Sequence, residues 1–116
     1  MTQRTIVLHP VLKNRTAPRD AEFALEEAVG LARAIDLEIV ESRLVTVRDP
    51  RPSTLLGEGK ITELGDFIGE LEIGLAVVDT QLSLVQQRNL EQAWKCKVID
   101  RTALILEIFG ERAHLS

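Results

Sequence analysis

The stretch STLLGEGK, Ser53–Lys60, contains the residue types from which a phosphate-binding loop is built. Such a loop needs an opening glycine, a Gly-Lys pair and a following hydroxyl residue that reaches a magnesium ion. Gly59 and Lys60 supply the pair. Thr54, however, stands in place of the opening glycine, and Ile61 stands in place of the hydroxyl residue. The stretch therefore lacks two of the features that a nucleotide site requires.

The residues before this stretch form a connector, whereas a phosphate-binding loop extends from an apolar strand. Pro50 and Pro52 cannot donate hydrogen bonds to a sheet, and they favour extended backbone at the residues that precede them. We therefore predict a turn in which Gly57 and Gly59 provide backbone freedom and Lys60 opens a helix.

Two aspartates, Asp79 and Asp100, each end a short apolar run. Ligands of parallel sheets gather at the carboxyl ends of the strands, where two acids could hold a divalent metal for phosphoryl transfer. Aspartates at such positions more often accept backbone N–H groups in the turn before a helix, and here Asp79 precedes Ser83 while Asp100 precedes Thr102. Because neither a third acid nor a paired histidine lies nearby, we favour the turn role and keep a metal- or nucleotide-dependent phosphoryl-transfer enzyme as the alternative.

Composition describes an ordinary globular chain. It has 116 residues, 45% hydrophobic and 28% charged, enough for a single domain over residues 1–116. One cysteine, Cys96, and two histidines argue against a structural zinc site, and we expect no metal. Since no apolar run approaches the length of a membrane span and no signal peptide is evident, we expect a cytoplasmic protein.

Charge and aromatic content limit how this chain could bind nucleic acid. The net charge of −4 argues against non-specific binding through overall charge, and 3% aromatic residues do not predict a platform on which bases stack. Individual basic side chains remain candidates for phosphate contacts. They are Arg43, Arg48, Arg51, Lys60, Arg88, Arg101 and Arg112.

The order of apolar patterns predicts the fold. Short runs rich in β-branched residues alternate with segments whose apolar residues recur at three- and four-residue steps. The predicted strands are Thr5–Leu8, Leu37–Val47, Leu75–Asp79 and Lys97–Asp100. The fold class that follows is α/β, with four βα units and a mainly parallel four-stranded sheet flanked by helices.

Helix boundaries follow from local signals. Asp20 is predicted to cap the first helix, and Thr102 is predicted to cap the fourth. Ser83 and Gln86 have the spacing of a capping box at the start of the third, which continues to about Trp94.

The last helix has only a narrow polar side, so more than one surface should cover it. We predict that Leu104, Ile108 and Phe109 form a surface that packs against something outside these residues. The chain ends without a glycine or proline stop signal, and we therefore expect it to be part of a longer protein.

Three blocks of the sequence together resemble a known family. RPSTLLGEGKITEL, AVVDTQLSLVQQRNLEQ and VIDRTALILEIFGERA are similar, in order and spacing, to the amino-terminal domain of the HflX family of ribosome-associated GTPases. The resemblance covers roughly residues 50–113. It implies an α/β domain followed by a helical segment and a GTPase domain, in a protein that binds the large ribosomal subunit and splits ribosomes, notably under stress.

The resemblance also implies where the chemistry lies. The glycine-lysine turn belongs to the family's amino-terminal domain, while GTP and Mg²⁺ are expected in the GTPase domain, so no cofactor is expected in these residues. The implied partners are the RNA and proteins of the large subunit and the two following domains. The candidate contact residues are Gly57, Gly59, Lys60, Arg88, Asn89, Arg101 and Arg112.

Three hypotheses for the function therefore remain, and the first of them rests on the family resemblance. The first is a non-catalytic ribosome-binding module, the second is the small enzyme based on Asp79 and Asp100, and the third is a structural module that assembles through its last helix.

Overall fold

The computed structural model describes residues 3–12 and 18–110, so the candidate contact residue Arg112 lies outside the described part. Four strands alternate with four helices, as predicted. The elements are β1 (Arg4–Leu12), α1 (Pro18–Ala34), β2 (Glu38–Val47), α2 (Glu58–Glu70), β3 (Leu75–Val78), α3 (Leu84–Trp94), β4 (Lys97–Asp100) and α4 (Arg101–Phe109). None of the helices in these ranges is long and apolar enough to cross a membrane.

The four strands form one parallel sheet in the order β2-β1-β3-β4. This confirms the predicted fold class. β1 takes a central place because Ile6, Val7 and Leu8 are apolar on both faces and fully buried. The chain travels from β1 to β2 in one direction and then returns past β1 to β3, so the switch point of the topology lies between β1 and β3.

Helices cover both faces of the sheet. Leu64 of α2 and Leu90 of α3 join one apolar cluster with Ile6 and Leu8. A second cluster contains α1 and α4 side chains together with strand residues that point the other way, among them Val7 and Val77. Successive strand residues alternate between the two clusters, and this alternation produces the three-layer arrangement.

Two of the strands extend past the rest of the sheet. β3 pairs with β1 only along Thr5–Leu8, whereas β2 pairs with β1 as far as Leu12 and Val47, after a register shift between Thr5 and Ile6. The carboxyl end of β2 therefore projects beyond β3 as part of a two-stranded ribbon. The residues that follow it start the connector from this projecting position.

Several predicted local features differ from the structure. α1 begins at Pro18, which places Asp20 in its first turn and not at the cap; proline at a helix start lacks only an N–H that the helix would leave unpaired. Asp100, not Thr102, caps α4, since its side chain accepts the N–H of Ala103. The capping box of Ser83 and Gln86 is confirmed in full.

The predicted role of the glycines in backbone freedom is wrong. Neither Gly57 nor Gly59 has a positive φ, and the residue with left-handed backbone in this turn is Leu55, at φ 69°. α2 begins at Glu58 with Gly57 as its N-cap, two residues before Lys60.

The predicted packing surface on α4 also needs correction. Leu104 is 0% exposed and belongs to the cluster between α1 and the sheet, so it is not available to a partner. Ile108 packs partly against the same cluster. Phe109 is 83% exposed, and of the three residues it is the one that presents a largely free apolar side chain.

This difference in burial predicts that two substitutions on α4 change the free energy of unfolding by very different amounts. Leu104→Ala should lower the free energy of unfolding by about 2–5 kcal/mol, because it leaves a cavity in a filled core. Phe109→Ala should change it by less than about 0.5 kcal/mol in the 116-residue chain. Urea denaturation of the two variants measures both values, and similar losses would contradict the assignment.

Candidate functional site

α3 holds the connector between β2 and α2 in place. The amide side chain of Gln86 donates to the carbonyl oxygen of Arg51 at 3.0 Å, and that of Asn89 donates to the carbonyl oxygen of Ser53 at 2.9 Å. Arg51 and Leu55 also exchange two backbone hydrogen bonds, of 3.1 and 2.8 Å. Asn89, a candidate contact residue, is thus used to fix the connector, and two blocks that are distant in sequence form one surface.

A cleft of about 620 Å³ opens between this connector and the start of α2. We call it the cationic cleft, because Arg48, Arg51 and Lys60 line it against a single acid, Asp49. Its other lining residues are Thr46, Val47, Pro50, Pro52, Leu56 and Gly57. Within the described ranges neither arginine forms a side-chain ion pair, and Lys60 Nζ reaches only Glu63, at 3.9 Å. The lining side chains of the cleft therefore carry a net positive charge.

The amino terminus of α2 forms one wall of the cationic cleft and has no side-chain cap. Gly57 caps it in an extended conformation, and the first helical hydrogen bond runs from Ile61 N–H to its carbonyl oxygen. No described group accepts the N–H of Glu58, Gly59 or Lys60. These three donors form a positive helix end, and the acidic side chain of Glu58 lies in the same first turn.

The switch point between β1 and β3 is closed by a chain of polar contacts. Asp79 is 3% exposed, and its carboxylate lies 2.8 Å from His9 Nδ1 and 3.5 Å from an Arg101 guanidinium nitrogen. The same guanidinium group lies 3.4 Å from Glu27 of α1. Arg101, one of the candidates for phosphate contacts, is therefore engaged by two carboxylates.

The second candidate acid is also engaged. Asp100 accepts the N–H of Ala103 at 2.9 Å and the N–H of Leu82 at 3.1 Å, one with each oxygen. Among the described residues no group of three His, Cys, Asp or Glu side chains is placed to hold a metal ion. Neither aspartate is thus free in the way that the enzyme alternative would require.

The candidate contact residues do not form a single cluster. Gly57 and Lys60 line the cationic cleft with Gly59 between them in sequence, and Asn89 supports the connector from behind. Arg88 is exposed on α3 without an ion pair to any described residue. Arg101 belongs to the separate switch-point network.

His9 is a functional candidate that the sequence patterns did not indicate. Its partner Asp79 is 70 residues away, and no local pattern connects them. A usable signal existed, since His9 directly follows the predicted strand Thr5–Leu8 just as Asp79 follows Val78, and neighbouring parallel strands end at one edge.

Cys96 lies directly before β4 in a partly buried position against the cluster of α2 and α3. Burial raises the pKa of its thiol from 9.0 to about 11, and the carboxylate of Glu91 adds to this increase, while a hydrogen bond with the backbone of Ala76 opposes it. The neutral thiol is a packing group with little nucleophilic character.

The network at the switch point predicts a stability cost for Asp79→Asn. The amide keeps the shape but removes the charge that faces His9 and Arg101, so the free energy of unfolding should fall by roughly 1–3 kcal/mol. Asp66→Asn, at an exposed position of α2, is the matched control and should be nearly neutral. Equal unfolding free energies for the two variants would contradict the network.

The raised thiol pKa predicts slow alkylation of the folded chain. At pH 8 the thiolate fraction at a pKa of about 11 is roughly one hundredth of that at 9.0. Iodoacetamide should therefore label the native chain about a hundredfold more slowly than the urea-unfolded chain, and the single cysteine makes the mass change unambiguous. Equal rates would contradict the burial of the thiol.

Comparison with known proteins identifies the chain's relatives. A family model described as "GTP-binding GTPase N-terminal" matches residues 22–110. The GTPase HflX of Magnetococcus marinus is 45% identical over 97 residues, which cover 83% of this chain and 22% of that protein. The GTPase HflX of Escherichia coli is 36% identical over 99 residues, covering 85% and 23%.

Other comparisons extend the match to almost the whole chain. The GTPase HflX of Flavobacterium psychrophilum is 35% identical over 114 residues, 98% of this chain and 27% of that protein. A GTP-binding protein from Sulfolobus solfataricus, solved with GDP, shares the fold at a TM-score of 0.63 and 23% identity, covering 92% of this chain and 30% of that one. The chain spans about a quarter of the length of these HflX relatives. It belongs to the HflX family of GTPases, and it corresponds to the family's amino-terminal domain.

Proposed function

We propose that this chain is the amino-terminal ribosome-binding and regulatory module of an HflX-like GTPase, a cytoplasmic protein that associates with the large ribosomal subunit and splits ribosomes, notably under stress. In this proposal residues 1–116 form one non-catalytic α/β domain. The GTPase domain that follows it in the longer protein binds GTP and Mg²⁺.

The observation that carries the proposal is the connector held by Gln86 and Asn89. It presents the cationic cleft at the surface, at the carboxyl end of the sheet, and no group of three His, Cys, Asp or Glu side chains among the described residues is placed to hold a metal ion. Such a surface can bind phosphate groups. Both acids that could support a catalytic function, Asp79 and Asp100, are engaged by the chain itself.

A second surface would hold the following domain. Phe23 of α1 and Leu106 and Phe109 of α4 are 63%, 64% and 83% exposed, and α1 packs against α4. In the proposal these exposed side chains contact the helical segment of the longer protein, and Phe109 is the one residue among them that belongs to the predicted packing surface. If this face instead joins copies of the chain, the mass in solution should rise with concentration and fall for Phe109→Glu.

Ribosome binding is tested by cosedimentation of the 116-residue chain with large ribosomal subunits at several salt concentrations. We expect binding that weakens steeply with salt, because phosphate contacts release counterions. Lys60→Ala and Arg88→Ala should each weaken binding and reduce the salt slope by about 1. Arg33→Ala, which removes an exposed positive charge from the last turn of α1, is the charge-matched control and should bind as the unchanged chain does.

Two results would count against this function. The first is no binding to large subunits at low salt. The second is a calorimetric signal with Mg²⁺ and ATP or GTP that Asp100→Asn abolishes, which would favour the enzyme alternative.

A further inference from the structure

We propose that Glu107 of α4 forms an ion pair with an arginine or lysine of the helical segment that follows this domain in the longer protein. The pair anchors that segment across Leu106 and Phe109, on the exposed side of α4. The inference rests on the proposed function for the presence of a following helical segment. The positive charge of the residue that meets Glu107 follows from α4 itself.

The carboxylate of Glu107 has an oxygen atom without a partner. Its Oε2 atom is buried and forms no hydrogen bond, and within residues 3–12 and 18–110 no other buried side-chain oxygen or nitrogen is in this state. A buried carboxylate oxygen that has left water and gained no donor is unfavourable. The domain therefore leaves an acceptor open, for which a group outside it can supply the donor.

The carboxyl end of α4 adds negative charge beside this acceptor. α4 ends at Phe109, so Glu107 lies in its last turn, where the helix dipole is negative. The last turn contains no basic residue to offset either charge. A cation interacts favourably with both the carboxylate and the helix end, whereas a neutral donor satisfies only the hydrogen bond. The missing donor is therefore an arginine or a lysine.

Exposed apolar side chains lie beside Glu107 on the surface of α4. Because about 3.6 residues complete a helical turn, Leu106 lies between Glu107 and Phe109 around the helix. Leu106 is 64% exposed and Phe109 is 83% exposed, while Glu107 is partly buried. An occupant that covers both apolar side chains and reaches Glu107 needs an apolar stripe with a basic residue beside it. An amphipathic helix has this pattern.

The position of α4 in the chain favours the following segment as that occupant. α4 is the last described element, and the HflX relatives are much longer, since the chain spans 22–27% of their lengths. A segment joined to α4 by a short linker has an effective concentration of about millimolar or more. One ion pair and a small apolar contact can therefore hold it, whereas a separate molecule would need a larger interface.

The test measures hydrogen exchange of the α4 amides by mass spectrometry, in the 116-residue chain and in the longer protein. In the longer protein Glu107→Gln, which keeps the shape and removes the charge, should speed this exchange about tenfold. In the 116-residue chain the same substitution should not speed it, because no partner is lost. Glu70→Gln, at the exposed end of α2, is the matched control and should have no effect on α4 in either protein.

Glu107→Lys tests the sign of the partner's charge. In the longer protein it places two cations together and should speed exchange more than Glu107→Gln does. In the 116-residue chain it should leave exchange unchanged or slow it, since a cation suits the carboxyl end of a helix. Equal effects of the two substitutions in the longer protein would show that the partner is not a cation.

Exchange elsewhere in the longer protein identifies the occupant. Glu107→Gln should also speed exchange in the helical segment. A change that falls on the GTPase domain and spares the helical segment overturns the inference in favour of that domain. Protection of α4 in the 116-residue chain that grows with concentration overturns it in favour of a second copy. Equal exchange in the Glu107→Gln and Glu70→Gln forms of the longer protein overturns it outright.

These measurements involve no ribosomes, so the inference and the proposed function can fail separately. If the longer protein does not bind large subunits while Glu107→Gln speeds exchange as expected, ribosome binding is wrong and the ion pair stands. If the longer protein binds large subunits and Glu107→Gln leaves exchange unchanged, ribosome binding stands and the ion pair is wrong.

Discussion

The burial of β1 on both faces is the constraint on which the rest of the structure depends. Ile6 and Leu8 contact the layer of α2 and α3, while Val7 contacts the layer of α1 and α4, so a single strand joins both cores. β1 also forms hydrogen bonds with strands on either side. Because β1 is central, the switch point lies between β1 and β3. Because β1 is long, β2 can pair with it as far as Val47, just before the connector begins.

The switch point between β1 and β3 is filled by polar side chains that contact one another. In open parallel sheets the crevice at the switch point is the usual ligand site. Here His9 and Asp79 meet across it, and Arg101 links it to α1 through Glu27. Side chains of this domain therefore pair with one another at the crevice where open parallel sheets usually bind a ligand. Arg48 and Arg51, which form no ion pair with a described residue, follow the end of β2, the neighbouring strand of β1.

β4 is the outer strand on one side of the sheet, and side chains of α3 form hydrogen bonds with its backbone. Gln87 donates to the carbonyl oxygen of Val98 at 2.8 Å, and Glu91 accepts the N–H of the same residue at 3.1 Å. Polar groups on β4 that another strand could pair with are thus satisfied within the domain. α3 therefore has two roles, since its first turns also hold the connector through Gln86 and Asn89.

Local signals predicted the elements of this fold, and long-range contacts decided the site. The capping box of Ser83 and Gln86 was predictable because the whole interaction lies within four residues. The burial of Leu104 was not, because α4 is apolar on most of its surface and its sequence does not say which side meets the sheet. Likewise, the role of Asn89 depends on Ser53, 36 residues away, which no periodicity reports.

The three glycines of α2 differ in what a side chain at each position would contact. Gly65 is closely packed, since a Cβ atom there would lie 3.3 Å from Cδ1 of Trp94, whose indole N–H donates to the carbonyl oxygen of Ile61. Gly59 and Gly69 face open space in the same helix and have no such neighbour. A helix that carries glycine at exposed positions gives up stability that alanine would supply. Of these glycines only Gly59 lies in the first turn of α2, between Gly57 and Lys60, which line the cationic cleft.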